Sequence, residues 1–174
     1  LMNKLKKFNG NSHLIISYLD LGNKLPSIYS QFLFSKKLSN ELKLLFVGRV
    51  ERRKGIFELI ESCINLRDKK INFKLDVLGG GSSFKQINEL LIKYNLQKYV
   101  SLKGQISDHS KITSYYKKSD IFVLPSYSEG FPRVIYTVME YGLPVITTLV
   151  GGIPSIMKDK YNCLAVSVES SKEI

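Results

Sequence analysis

The feature that most limits the fold of this chain is a regular alternation of apolar, strand-like runs with segments of helical periodicity, beginning at Leu42. Within residues 43–47 the run from Leu44 to Val47 is continuously apolar, as expected of a strand covered on both faces. The residues that follow have apolar side chains at helical spacing, namely Ile56, Leu59, Ile60, Cys63 and Ile64. Further strands are predicted at 73–78, 100–102, 121–124, 144–147 and 164–166, with helices between them. This order predicts an α/β fold with right-handed crossovers and a doubly wound, Rossmann-like parallel sheet.

The alternation also suggests how the chain is organised. Residues 1–40 are poorly patterned, and we interpret them as the end of a preceding domain or a linker. Residues 41–174 are predicted to form one compact domain. Neither end shows a clear start or stop signal, so we interpret the sequence as a fragment of a longer chain.

Net charge and cysteine content exclude few classes of function. There are 26 Lys and Arg against 15 acidic residues, a formal charge of +11. This excess suits a nucleotide diphosphate, an anionic membrane face or nucleic acid, but a lysine-rich solvated surface explains it equally well. No nucleic-acid recognition motif accompanies the charge, so we expect no nucleic-acid partner. Cys63 and Cys163 lie in apolar contexts and predict reduced core thiols. A cytoplasmic protein is expected.

A basic loop follows the first predicted strand. Gly48 ends the strand and allows a sharp turn where a ligand can approach. Arg49 offers a bidentate fork for phosphate oxygens, and Lys54 adds a compact charge. Such a loop alone is more often a solvated face than a phosphate site, and we interpret Arg52 and Arg53 in that way.

A second loop, after the predicted strand 121–124, carries a carboxylate into a helix. Pro132 suits the first helical turn, where its missing N–H costs nothing. The amides of Arg133 and Val134 are expected to be free at the positive end of the helix dipole. Glu129 is either an acceptor for sugar hydroxyls or only a cap for this helix. Because the carboxyl ends of parallel strands share one edge of the sheet, carboxylate and cations together suggest a sugar nucleotide as ligand.

A third glycine-rich segment, Gly79-Gly-Gly-Ser-Ser-Phe84, also follows a strand. It lacks the third glycine of a dinucleotide-binding fingerprint, which argues against an NAD enzyme.

Five ordered motifs resemble one known family. They are Gly-Arg-x4-Lys-Gly at 48–55, Val-x-Leu-x-Gly at 100–104, Asp-Ile-Phe-Val-Leu-Pro-Ser at 120–126, Glu-Gly-Phe-Pro at 129–132 and Gly-Leu-Pro-Val-Ile at 142–146. In this order they resemble the C-terminal, donor-binding half of retaining glycosyltransferases of the GT-B fold, the group 1 family (glycosyltransferase family 4). The resemblance covers roughly residues 42–168.

The resemblance implies specific roles. Arg49 and Lys54 match the pair that grips the donor diphosphate, and Glu129 matches the acid that contacts hydroxyls of the transferred sugar; these three are the expected catalytic residues. The further donor-binding residues that it implies are Gly48, Gly79, Gly80, Gln105, Ile106, Gly130, Phe131, Arg133, Val134 and Thr137. Gln105 and Ile106 match the segment that meets the base. No metal and no other cofactor is expected, because cations and the helix dipole neutralise the diphosphate.

The same resemblance implies partners. They are a nucleotide sugar such as a UDP- or GDP-sugar, a glycan or lipid-linked acceptor, and an N-terminal acceptor domain of the same full-length protein. A peripheral contact with the inner membrane face is a further expectation. Since the acceptor domain carries much of the catalytic machinery in this family, we expect the fragment alone to be inactive.

Two positions depart from the family pattern. Thr137 stands where the family has a second Glu that holds the ribose hydroxyls, and Ser155 replaces another family Glu. A neutral hydroxyl contributes about 0.5–1.5 kcal/mol against about 1.5–3 for a charged acceptor, so ribose affinity is expected to fall roughly tenfold. Glu140 lies nearly one helical turn further on and is interpreted as a solvated residue. The alternative function is a degenerate nucleotide- or sugar-binding module without catalysis.

Overall fold

The computed structural model describes residues 40–174, so the interpretation of residues 1–40 lies outside it except for the last residue. In these residues six parallel strands form one sheet in the order β3-β2-β1-β4-β5-β6. The strands are β1 (Leu42–Val47), β2 (Phe73–Leu78), β3 (Val100–Gly104), β4 (Ile121–Leu124), β5 (Val145–Thr147) and β6 (Leu164–Ala165). The predicted doubly wound parallel sheet is confirmed.

Four α-helices connect the strands of the described part. They are α1 (Ile56–Asp68), α2 (Phe84–Lys93), α3 (His109–Lys118) and α4 (Arg133–Glu140), with short 3-10 helices at Arg52–Lys54 and Ile153–Ser155. The Asp108 carboxylate caps α3 by accepting hydrogen bonds from the amides of Ser110 and Lys111. Helix α4 ends before Gly142, whose φ of 61° is left-handed and whose amide donates to the carbonyl of Met139.

The core lies on both faces of the sheet. All four residues of β4 are buried, and so are the three central residues of β1. This is why their sequences are apolar without alternation. Cys63 and Cys163 are free and buried, and burial raises the pKa of the Cys63 thiol to about 12. The prediction of core thiols is therefore confirmed.

The position of β1 determines where a ligand can bind. β1 pairs with β2 on one side and with β4 on the other, so the direction in which the strands are added reverses there. Open α/β sheets bind ligands at the carboxyl edge beside such a reversal, and the loops after β1 and β4 both lie at this edge. Within residues 40–174, none of the helices is both long enough and apolar enough to cross a bilayer.

Candidate functional site

A crevice opens at the carboxyl ends of β1 and β2 and beside the loop after β3. Its volume is about 570 Å³. Six of the predicted donor-site residues line it, namely Gly48, Arg49, Gly79, Gly80, Gln105 and Ile106. Sequence reasoning missed its apolar wall of Val47, Leu78 and Ile112. These side chains belong to the ends of strands and to α3, where their apolar character predicts core packing rather than a site.

Glycines form the crevice floor because backbone segments approach each other closely there. Gly79 has a φ of 133°, and a Cβ on it would lie 1.9 Å from the carbonyl oxygen of Gly48. The Gly79 amide donates to the carbonyl of Gly104 over 2.8 Å, and the Gly48 amide donates to that of Leu78 over 3.0 Å. The ends of three strands are thereby joined, and the floor presents backbone to a ligand.

The predicted cation and the predicted acid meet directly. Nζ of Lys54 lies 2.6 Å from Oε1 of Glu129, although the two residues are 75 positions apart in sequence. Their side chains are only 15% and 8% exposed. Lys54 comes from the 3-10 helix after β1 and Glu129 from the loop after β4, so the neighbouring strands bring them together. The Ser126 hydroxyl donates to the same Oε1 over 2.6 Å.

Arg49 lies at the edge of the crevice in a different environment. Its side chain is 69% exposed, and its Nη2 is 2.7 Å from Oε1 of Glu51. Glu51 also accepts a hydrogen bond from Arg53 over 2.9 Å. This bond, together with the positive charges of Arg49, Arg53 and Lys54, lowers the pKa of Glu51. The sequence did not single out Glu51 as a site residue. Its only signal is that it is the one acidic residue in a basic loop. Arg52 and Arg53 are exposed, as interpreted.

The entry to α4 differs from expectation in one respect. The Arg133 amide is not free, because the chain turns tightly here and this amide donates to the carbonyl of Phe131 over 2.8 Å. Pro132 occupies the N-cap rather than the first helical position. Phe131 is 70% exposed and stacks on Tyr136, with ring centroids 5.2 Å apart. Gly130 and Val134 flank this turn.

The loop after β5 packs against the loop that carries Glu129. The Gly152 amide donates to the carbonyl of Glu129 over 3.1 Å. A Cβ on Gly151 would lie 1.7 Å from that same oxygen, so only glycine permits the contact. Ser155 bonds locally through its hydroxyl to the carbonyl of Gly152. Thr137 is half-buried on α4, and Glu140 is exposed. Among residues 40–174, no three His, Cys, Asp or Glu side chains cluster as a metal site.

Comparison with known proteins identifies the family of the chain. The family model "Glycosyl transferases group 1" matches residues 30–174. The chain belongs to the group 1 glycosyltransferases. A curated relative in this family is the putative teichuronic acid biosynthesis glycosyltransferase TuaC of Bacillus subtilis (strain 168). It is 35% identical over 130 residues, which are 75% of this chain and 30% of TuaC. The chain spans about a third of the length of the curated relatives it matches.

Solved structures of group 1 glycosyltransferases share the fold. The C-terminal domain of the family protein LpcC from Francisella tularensis is 27% identical with a TM-score of 0.69, and the match covers 85% of this chain and 78% of that domain. The fold is therefore that of a GT-B C-terminal domain. The pneumococcal O-GlcNAc transferase GtfA, solved with UDP and GlcNAc, is 24% identical with a TM-score of 0.63. That match covers 72% of this chain and 25% of GtfA, and shows the fold alone.

Proposed function

We propose that this chain is the donor-binding domain of a retaining glycosyltransferase. It binds a nucleotide-diphosphate sugar, and the full-length protein transfers the hexosyl group, with retention, to a glycan or lipid-linked acceptor. Family membership and the polysaccharide-related name of TuaC support this reaction class. The acceptor is expected on an N-terminal domain across the cleft, so this chain alone binds donor without transferring it. A peripheral contact at the inner membrane face belongs to the same proposal.

One observation carries the proposal, namely the contact of Lys54 with Glu129, which joins the loops after β1 and β4 at the carboxyl edge of the sheet. An acid and a cation in contact at the carboxyl edge offer both kinds of group that a phosphate-linked sugar needs. Hydroxyls donate to carboxylate oxygens, and phosphate oxygens accept from ammonium and guanidinium groups. In this proposal the base and ribose occupy the crevice of about 570 Å³ that Gly79, Gln105 and Ile106 help to line.

The proposed chemistry is differential stabilisation of the leaving group. As the bond from sugar to phosphate breaks, negative charge develops on the nucleoside diphosphate. The intact donor is already anionic, and Arg49 and Lys54 stabilise the additional charge on the departing nucleoside diphosphate more than they stabilise the bound donor, which lowers the barrier. Glu129 orients the sugar through its hydroxyls. These protein cations take the neutralising role, so the proposal includes no metal.

Titration of the wild-type chain with matched probes tests the proposal. We expect calorimetry to detect binding of at least one of UDP-glucose, GDP-mannose and ADP-glucose, and of its parent nucleotide. Because family members differ in donor, the strongest binder identifies the base. Absence of binding to every probe, in the full-length protein as well, contradicts donor binding and favours the degenerate module instead.

Thr137→Glu is expected to tighten binding of the parent nucleotide about tenfold. The substitution restores a charged acceptor for ribose hydroxyls on α4, where a hydroxyl now stands. Calorimetric titration of the variant and of Glu140→Gln measures the effect, since Glu140 is exposed on the same helix and is expected to leave affinity unchanged. Unchanged affinity in Thr137→Glu contradicts the ribose interpretation.

A further inference from the structure

Ser126 is a fully buried polar residue to which the proposed function assigns no role. It is 0% exposed and follows β4 directly after Pro125. A hydroxyl buried in this way must find a partner, and the Ser126 hydroxyl donates to Oε1 of Glu129 over 2.6 Å. The bond joins a residue fixed in the core to the acid at the site. This bond is part of neither a helix cap nor the pairing between strands, so neither of these explains it.

Buried threonines at the end of β5 hold Ser126 and its strand in place. Oγ1 of Thr148 donates to the carbonyl of Ser126 over 2.5 Å. Oγ1 of Thr147 donates to the carbonyl of Leu124 over 2.8 Å. Both threonines are 0% exposed. The end of β4 is therefore fixed by side-chain hydrogen bonds as well as by the sheet, and Ser126 is a rigid donor rather than a mobile loop residue.

The two donors to Glu129 end on the same oxygen. Lys54 and Ser126 each lie 2.6 Å from Oε1, and neither bond involves Oε2. The terminal torsion of a glutamate is broad, so a carboxylate held by one flexible lysine retains rotational freedom. A second donor on a rigid strand end removes much of that freedom. Oε2 is then the carboxylate oxygen that neither of these two bonds engages.

We propose that Ser126 is a positioning residue, which fixes Oε1 of Glu129 so that Oε2 is oriented to accept a hydroxyl of the donor sugar. This inference rests on the proposed function, because it assigns the sugar to Glu129. The inference predicts a selective effect on ligand binding. Ser126 affects the sugar part of the ligand and leaves the contacts to base, ribose and diphosphate unaffected.

Ser126→Ala tests the inference through the difference between a nucleotide sugar and its parent nucleotide. Calorimetry in the full chain with UDP and UDP-glucose, GDP and GDP-mannose, and ADP and ADP-glucose gives that difference directly. For the pair that binds wild type, we expect affinity for the nucleotide sugar to fall about three- to tenfold, since the Glu129 carboxylate regains rotational freedom that binding of the sugar must then remove. Affinity for the parent nucleotide is expected to change less than about twofold.

Ser62→Ala is the matched control. Ser62 is a buried serine in α1 whose hydroxyl donates a hydrogen bond of 2.7 Å to the carbonyl of Leu59. Removing it repeats the loss of a buried hydroxyl away from Glu129, and both affinities are expected to stay at the wild-type values. Ser126→Cys keeps a weak donor of similar size, and its affinity for the nucleotide sugar is expected to lie between those of wild type and Ser126→Ala.

The outcomes separate the inference from the function on which it rests. A selective loss for the nucleotide sugar in Ser126→Ala, with Ser62→Ala unaffected, supports the positioning role. Equal losses for sugar and parent nucleotide, or no loss at all, overturn the positioning role and leave donor binding intact. If Ser126→Ala does not fold, the Ser126→Cys variant tests the positioning role through the same comparison of affinities for the nucleotide sugar and its parent nucleotide. A wild type that binds none of the six probes overturns the proposed function and this inference together.

Discussion

Replacing Arg49 and Lys54 together by alanine is expected to abolish the thermal stabilisation that a nucleotide sugar gives the wild-type chain. Each cation is proposed to hold phosphate oxygens through charge-assisted hydrogen bonds, worth about 1.5–3 kcal/mol apiece. Losing both is expected to weaken binding by about a hundredfold or more. A thermal-shift screen of wild type and variant against UDP-, GDP- and ADP-sugars measures the effect.

The control for this experiment must account for the ion pair. Removing Lys54 leaves the Glu129 carboxylate, whose side chain is 8% exposed, without its cation. The unliganded double variant is therefore expected to melt below wild type, and the ligand-induced shift must be taken from each variant's own baseline. Arg52→Ala removes an exposed charge from the same loop and is expected to keep the full shift. An undiminished shift in the double variant contradicts phosphate binding by this pair.

Gly79→Ala is expected to destabilise the chain by about 2–4 kcal/mol. At a φ of 133° an L side chain is strained, and its Cβ would lie 1.9 Å from the carbonyl oxygen of Gly48. Relief requires separating the ends of β1 and β2, which the Gly48 amide joins through its bond to Leu78. Urea denaturation followed by circular dichroism measures the loss, and an unchanged slope against urea shows that the unfolded state is not altered.

Gly80→Ala is the adjacent control. A Cβ at Gly80 meets no atom within 4 Å, and its backbone is not in the left-handed region. We expect its free energy of unfolding to stay within about 0.5 kcal/mol of wild type. Equal stability of the two alanine variants contradicts the close approach of the Gly48 and Gly79 segments.

The strands were predictable because burial on both faces leaves a direct record in the sequence. The bounds of β2 and β4 agree with the prediction, since Gly79 directly follows β2 and Pro125 directly follows β4. Strand β3 extends to Gly104, two residues beyond the predicted end, because sheet pairing with β2 continues past the apolar residues. The strand propensities of single residues do not indicate how far β3 pairs with β2. Helix α4 begins at Arg133, directly after Pro132.

The site was predictable in its residues but not in its contacts. Motif spacing indicates that the loops holding Lys54 and Glu129 share an edge, because both follow parallel strands. It does not indicate that the two side chains touch, since the contact depends on β1 and β4 being neighbours. The bond from Ser126 to Glu129 escaped notice for a similar reason, because a serine after a strand is ordinary turn chemistry. The engaged amide of Arg133 depends on local turn geometry that residue types leave open.

The pairing of Lys54 with a protein carboxylate has a consequence for ionic strength. An exposed lysine is surrounded by mobile ions, which an incoming phosphate must displace, and its attraction fades as salt is added. Lys54 already has a fixed anion at 2.6 Å, and Glu51 similarly accompanies Arg49. Arg49 and Lys54 are thus each in contact with a carboxylate of the protein itself. Long-range electrostatic recruitment by these two cations is correspondingly modest, and selectivity for an anionic ligand depends on short-range fit within the crevice.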